Sequence, residues 1–325
     1  VLKYGINKNG YKCEIIFVST RKGQLRTLLN NNTVIVFTPW LSHLDNINCK
    51  IILYNTESLK SPVFGQLAKK CINDTRVFQI WDYCYNNLLL SKSNKKHIVM
   101  PIGYSPNNEF PIKQHKKIFD IIFYGTHLGT HPGDKRFKRR EMILNAINKI
   151  SNVFDDYNSD CLDTKFYTSY YKELNNLSKE AVLQHWLEEG QFQNRQCCTK
   201  KNGLKNFWIT RFKSLKQKID YIGASKIVLI IHTYDCDKPI DYFRMTELIK
   251  NKCFFIMETP QDSEKLLYEK YKNYIVFSDY DKILENCMIY LKKTQAERNS
   301  IAEKLYQFWK NEEDMSHYIK YSLSR

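Results

Sequence analysis

The sequence predicts an α/β protein of two Rossmann-like doubly wound domains facing a cleft, with an α-helical insertion in the C-terminal domain. Three observations predict it. Short apolar runs alternate with helical patterns along the first third of the chain. A second alternating series begins after a proline- and asparagine-rich segment at Ser105–Pro111. Between Asp155 and about Lys216 the alternation gives way to an aromatic-rich stretch of helical pattern with no buried strand. Brief apolar runs closed by turn residues are the mark of parallel strands covered by helices on both faces. A chain of 325 residues can hold two such domains, each with its own core.

The elements follow in order. Strands are expected at Cys13–Ser19, Thr33–Phe37, Lys50–Tyr54, Val77–Ile80 and His97–Met100, with helices over Ser61–Cys71 and Tyr83–Ser91 between them. The opening Val1–Gly5 reads as the end of a helix running into a turn, so the first domain is expected to be truncated at its start. The segment 105–117 reads as a linker. The second series then runs strand Phe119–Tyr124, turn Gly125–Pro132, helix Arg136–Ile150, strand Lys226–His232, helix Phe243–Asn251 and strand Cys253–Glu258. Helix Leu266–Tyr271, strand Tyr274–Phe277, helix Asp279–Lys292 and one long helical tail from Gln295 to Tyr318 complete it. The expected division is 1–112 for the first domain, 113–155 with 217–294 for the second, 156–216 for the insertion, and 295–325 for a helix packing back on the first domain.

Composition narrows the class. Apolar residues make up 43% and aromatics 14%, a globular content, and no apolar run approaches the roughly 20 residues that cross a bilayer. Cys13, Cys49, Cys71, Cys253 and Cys287 sit in apolar stretches, no C-x-x-C pair occurs, and Cys197 and Cys198 are adjacent. That usage predicts reduced thiols and an intracellular protein. The net charge of +16 suits phosphates, nucleic acid or anionic membranes. Lysine is dispersed along the chain, however, among abundant Asn, Ile and Tyr, so the excess reads as a compositional bias and no nucleic-acid partner is expected.

In doubly wound sheets ligands sit beyond the carboxyl ends of the strands. In the second domain those ends carry Gly125-Thr126-His127, His232-Thr233-Tyr234-Asp235 and Glu258-Thr259-Pro260. Glycine at a strand-to-helix turn lets backbone approach a phosphate, and Arg139 or Arg140 can add a guanidinium. A structural turn would look the same. Arg244 and Glu247 lie one helical turn apart. They can form an ordinary i,i+3 ion pair contributing about 0.2–0.5 kcal/mol, or divide a nucleotide between them, with Glu247 on the ribose and Arg244 on the phosphates. Spacing leaves both open.

The run Ser225–Asp235, followed by Arg244-Met245-Thr246-Glu247-Leu248-Ile249-Lys250-Asn251, Cys253–Glu258 and Ile275–Asp281, resembles the GT-B glycosyltransferases, in particular the spore-maturation (CgeB-like) set and its giant-virus relatives. Tyr54–Glu57, Trp81-Asp82-Tyr83 with Asn86, and Met100–Tyr104 extend the resemblance through the first domain. It implies a nucleotide-sugar donor held by the second domain and a glycan, protein or small-molecule acceptor entering from the first. Gly125, Thr126, Arg139, Arg140, Arg244, Glu247 and Glu258 would hold the donor. His232 and Asp235 would approach the sugar, and Glu57 and Asp82 would be candidate bases for the acceptor hydroxyl. The donor is a substrate, and the resemblance implies neither a cofactor nor a metal, helix dipole and basic groups stabilising the departing diphosphate. Asp235-Cys236-Asp237 is read as a loop rather than a metal motif. The last helix, Trp309 included, would pack on the first domain.

One departure stands out. Many retaining members carry Glu-x7-Glu, whose second glutamate falls at Glu247, but Pro239 occupies the first position. A catalytically silent glycan-binding module is therefore the alternative reading. Asp163, Phe166, Tyr167, Tyr170, Tyr171, His185, Trp186, Gly190 and Arg195 in the insertion resemble a small helical repeat found on bacterial and giant-virus glycosyltransferases and surface proteins, implying an accessory role.

Overall fold

The computed structural model describes residues 1–13, 29, 32–44, 47–62, 64–106, 117–125, 137–151, 164–174, 176–185, 206–209, 212–235 and 237–324. Thr126, His127, the 107–116 segment, Trp186, Gly190, Arg195 and nearly all of the expected Cys13–Ser19 strand lie outside them.

The first sheet is parallel, in the order β1 (Thr33–Phe37), β2 (Lys50–Asn55), β3 (Val77–Asp82), β4 (Lys96–Val99). Because side chains alternate along a strand, the same strands serve two cores. Ile51, Leu53 and Ile80 pack against Ala68, Cys71 and Ile72 of helix α2 (Gly65–Asn73). Ile52, Tyr54 and Trp81 face the other way, onto Ile6 of helix α1 (Leu2–Lys8) and onto Met315 and Ile319 from the far end of the chain.

The second sheet runs β6 (Asn206–Ile209), β5 (Phe119–Tyr124), β7 (Ser225–Ile230), β8 (Phe255–Glu258), β9 (Val276–Ser278), again all parallel. All six residues of β5 are buried, and each large apolar side chain so placed contributes about 1.5–3 kcal/mol. One face meets helices α7 (Leu215–Gly223) and α8 (Tyr242–Lys250) through Tyr221, Met245 and Leu248. The other meets α4 (Lys138–Ser151) and α10 (Ile283–Lys292) through Ile143, Leu144, Ile147, Ile283 and Cys287. The fold is thus the two-domain, Rossmann-like α/β architecture that the strand–helix alternation predicts.

Two expectations are corrected. The stretch 156–216 is not strand-free: helices α5 (Thr164–Tyr170) and α6 (Lys179–His185) are there, but Asn206–Ile209 forms the edge strand of the second sheet, pairing with β5. Four residues at an edge, only Asn206 of them fully buried, leave too weak an apolar signature to stand out among aromatics. The tail is likewise two helices, α11 (Gln295–Glu312) and α12 (Met315–Leu323). Trp309 packs in the second domain's core with its ring edge-on to Tyr104, centroids 5.3 Å apart, and of the two tail helices it is α12 that packs on the first sheet, beside α1.

The crossing between the domains is tightly built. Tyr104 N–H donates to the Glu313 carbonyl at 2.6 Å and Met315 N–H to the Tyr104 carbonyl at 3.0 Å. A Cβ on Gly103 would stand 2.3 Å from the Glu313 carbonyl oxygen, so only glycine fits there. A second tie joins the Asp262–Glu264 turn after β8 to the first domain. The Glu264 carboxyl accepts the backbone N–H of Asn86, in helix α3 (Tyr85–Leu90), at 3.0 Å. Among the described residues no helix is long and apolar enough to cross a membrane, and Cys13, Cys49, Cys71, Cys84, Cys253 and Cys287 are free thiols.

Candidate functional site

The order of the second sheet sets where a ligand can go. With β6 on one side of β5 and β7, β8 and β9 on the other, the strand order reverses between β5 and β7. At such a switch point the loops leaving the two carboxyl ends part and open a crevice. A cleft of about 290 Å³ lies there. The second domain lines it with Arg140, His232, Asp237 and Arg244, and the first closes it with Glu57 and Ser58 from the loop after β2.

Two guanidinium groups converge on the end of β5. Gly125 adopts φ +138°, a conformation that favours glycine, and a Cβ there would lie 3.5 Å from an Arg244 nitrogen and 3.8 Å from one of Arg140. Arg140, in the first turn of α4, is buried and donates through Nε to the Ile231 carbonyl at 2.9 Å. Arg244 is fixed by Asp241, the N-cap of α8, which accepts its backbone N–H at 3.0 Å and its Nε at 2.7 Å; a terminal nitrogen reaches the Tyr124 carbonyl at 3.2 Å. Burial opposes the Asp241 charge, but Arg244 prevails and holds the carboxyl below its ordinary range. Burial, and then the nearby charge of Arg244, disfavour the charge on Arg140. The end of β5 is therefore a cationic, partly dehydrated place where an anion would be stabilised.

His232 follows β7 and lines the cleft, 5% exposed, with no hydrogen-bond partner for Nε2 among the described residues. Burial, reinforced by Arg244, Arg140 and Arg139, lowers its pKa to about 3, so the ring is neutral at physiological pH. A neutral imidazole can exchange hydrogen bonds with a sugar hydroxyl without adding charge.

Glu258 and Arg139 are placed differently from expectation. Glu258 is 1% exposed at the end of β8, grips the Arg139 guanidinium with both oxygens and accepts the His232 backbone N–H at 2.9 Å. Arg139 also lies 3.9 Å above the Tyr280 ring. Neither lines the cleft, so together they brace the β7 loop from behind. Asp235 is 80% exposed, pairs with Arg139 and Lys238, and does not line the cleft.

The Arg244–Glu247 ion pair allowed by spacing is not formed. Arg244 takes Asp241, while Glu247 accepts the Tyr124 hydroxyl at 3.1 Å and pairs with Lys218 at 2.7 Å beside the end of β5. In the first domain, Glu57 lines the cleft, and burial raises its pKa. Asp82 does not reach the cleft. It is fully buried, and Asn55, Asn87, the Cys84 N–H and His97 surround its oxygens at 2.8–3.2 Å, a hub that ties β2, β3 and β4 together. Asp241 and Ser58 line the cleft without having been singled out in the sequence, and Asp237, read there only as part of a loop, lines it too. Asp241 carried a legible signal, an Asp immediately before the apolar-periodic run of α8.

No protein-family model and no curated protein matches the sequence. Solved structures do match in fold, and they are GT-B glycosyltransferases. TarM superposes with a TM-score of 0.55 at 9% identity, over 93% of this chain and 57% of TarM. The trehalose-6-phosphate synthase OtsA gives 0.52 at 12% identity, over 93% of this chain and 74% of its own. A trehalose-phosphate synthase (UDP-forming) from Burkholderia xenovorans, solved with glucose-6-phosphate, gives 0.51 at 10%, over 93% and 75%. At these identities the likeness establishes the architecture, two parallel-sheet Rossmann-like domains of GT-B type.

Proposed function

We propose that the chain is a glycosyltransferase that moves a sugar from a nucleoside-diphosphate donor to an acceptor hydroxyl on a glycan, a protein or a small molecule. The observation that carries this reading is the convergence of Arg140 and Arg244 on Gly125 at the switch point of the second sheet, faced across the cleft by a carboxyl of the first domain. Diphosphate oxygens at the Gly125 turn would receive both guanidinium groups, and the nucleoside would run along the edge where Glu247 stands. His232 would contact the sugar.

In the transfer, the bond from the sugar C1 to the diphosphate oxygen breaks and a bond from C1 to the acceptor oxygen forms. The electron pair leaves with the diphosphate, where charge develops beside Arg140 and Arg244. The acceptor proton passes to a base, and Glu57, whose burial raises its proton affinity, suits that task. Asp82, held by its four donors, is withdrawn from the role. The spore-maturation and giant-virus placement rests on the sequence resemblance, and an intracellular setting on the free thiols.

Titration calorimetry of the chain with UDP, UDP-glucose and other nucleotide sugars tests the reading. Binding is expected, weakened at least tenfold by Arg244→Ala, since a hydrogen bond to a charged group contributes about 1.5–3 kcal/mol. Glu247→Ala is expected to weaken it as well. Pro239, at the first position of Glu-x7-Glu, lines the cleft and favours the alternative of a silent module. Binding of every donor with neither hydrolysis nor transfer would select that alternative, and binding of none would sink the donor site.

A further inference from the structure

Opposite the two guanidinium groups, the cleft changes character. The first domain presents Thr56, Glu57, Ser58, Ser61 and Tyr83, hydroxyls and one carboxyl with no cation among them. The second domain adds Asp237 to this wall. Asp237 is only 6% exposed, the Ser58 side chain stands near its carboxyl across the domain boundary, and its Oδ1 has no hydrogen-bond partner among the described residues. A buried carboxyl oxygen without a donor is costly, and the cost is removed when a donor arrives. Lys60, close enough to act on the carboxyl through its charge, does not line the cleft.

We infer that Asp237 binds a hydroxyl of the acceptor, and that the acceptor at this wall is an uncharged polyhydroxyl group rather than a sugar phosphate. The inference rests on the transferase reading above and adds the acceptor's chemical class to it. A carboxylate only accepts, so its natural partner is a hydroxyl donor. Oδ1, which lacks a donor, is the oxygen left for the ligand. A phosphate in the same place would meet Asp237 and Glu57 in a partly dehydrated space, where like charges repel more strongly than in water. The cations of the cleft, Arg140 and Arg244, lie on the second domain at the end of β5, where the donor diphosphate would take them. Burial also raises the proton affinity of Asp237, in keeping with a site made for a neutral ligand. Its place is distinct from that of His232, which approaches from the strand end of the same loop.

Saturation-transfer NMR on the full chain with UDP present, using glucose and glucose 6-phosphate as probes, tests this. Glucose should give the stronger signal, and Asp237→Asn, which keeps the shape and removes the carboxylate, should reduce glucose affinity at least tenfold while leaving UDP affinity by calorimetry unchanged. Ser58→Ala should give a smaller loss in the same direction. Stronger binding of glucose 6-phosphate than of glucose by the wild-type chain overturns the inference without recourse to any variant. So does an Asp237→Asn chain that binds glucose as the wild type does, or wild-type chain that binds UDP and neither sugar. That last result leaves the donor reading standing, whereas failure to bind UDP removes both.

Discussion

Glu264 offers a sharp test of how the two domains are held together. Its side chain lies at the domain boundary, fully buried, with Oε1 accepting the Asn86 N–H and Oε2 lacking a partner among the described residues. Burial raises its pKa from 4.5 to about 7; Asp82 and Asp237 add to the rise, and the backbone N–H groups of Asn86 and Tyr85 oppose it. Each tenfold change in proton affinity corresponds to about 1.4 kcal/mol, so the carboxylate costs the folded state roughly 3 kcal/mol once it is fully ionised. Below pH 4.5 the group is protonated folded or unfolded, and no cost arises. As pH rises from 4.5 through about 7, the unfolded state releases its proton first, and the stability given by the protonated form is lost. Glu264→Gln keeps an acceptor for Asn86 and cannot ionise. Urea denaturation of both chains at pH 5 and pH 8.5 should show the variant gaining about 1–3 kcal/mol relative to wild type between the two. A stability difference that is the same at both pH values would refute the reasoning and mean that Glu264 is hydrated or stays ionised in the fold.

Two further outcomes follow from the packing. Gly103→Ala would drive a methyl into the Glu313 carbonyl at the domain crossing; a loss of about 2–4 kcal/mol is expected from chemical denaturation, and an unchanged midpoint would show that the crossing yields easily. Glu258→Ala leaves the Arg139 guanidinium without its buried partner and the His232 N–H without its acceptor. A loss of about 3–5 kcal/mol is expected, and a stable variant with impaired UDP binding would instead return Glu258 to the donor site.

The sequence made the sheets legible because their strands are buried on both faces, which leaves unbroken apolar runs at Ile121–Tyr124 and Ile227–Ile230. Gly125 and His232 followed from the rule that ligands gather at strand ends. The edge strand Asn206–Ile209 escaped because its apolar run, Phe207 to Ile209, is too short to be told from a helical segment by periodicity.

Partner choice was beyond the sequence. Arg244 stands three residues from both Asp241 and Glu247, and spacing cannot choose between them. The start of α8 decided for Asp241, whose N-cap position holds its carboxyl beside the Arg244 N–H. Glu258, Asp82 and Asp237 are three carboxyls near strand ends and alike on paper. Tertiary structure buried the first under Arg139, enclosed the second in four donors and left the third beside the cleft with a buried oxygen that has no partner among the described residues. Apolar periodicity thus determined the two domains and the side of the second sheet on which a ligand can sit. What each charged group does there was settled only by the fold, because a polar group's role depends on which donors and charges reach it, and those arrive from segments far away in the chain.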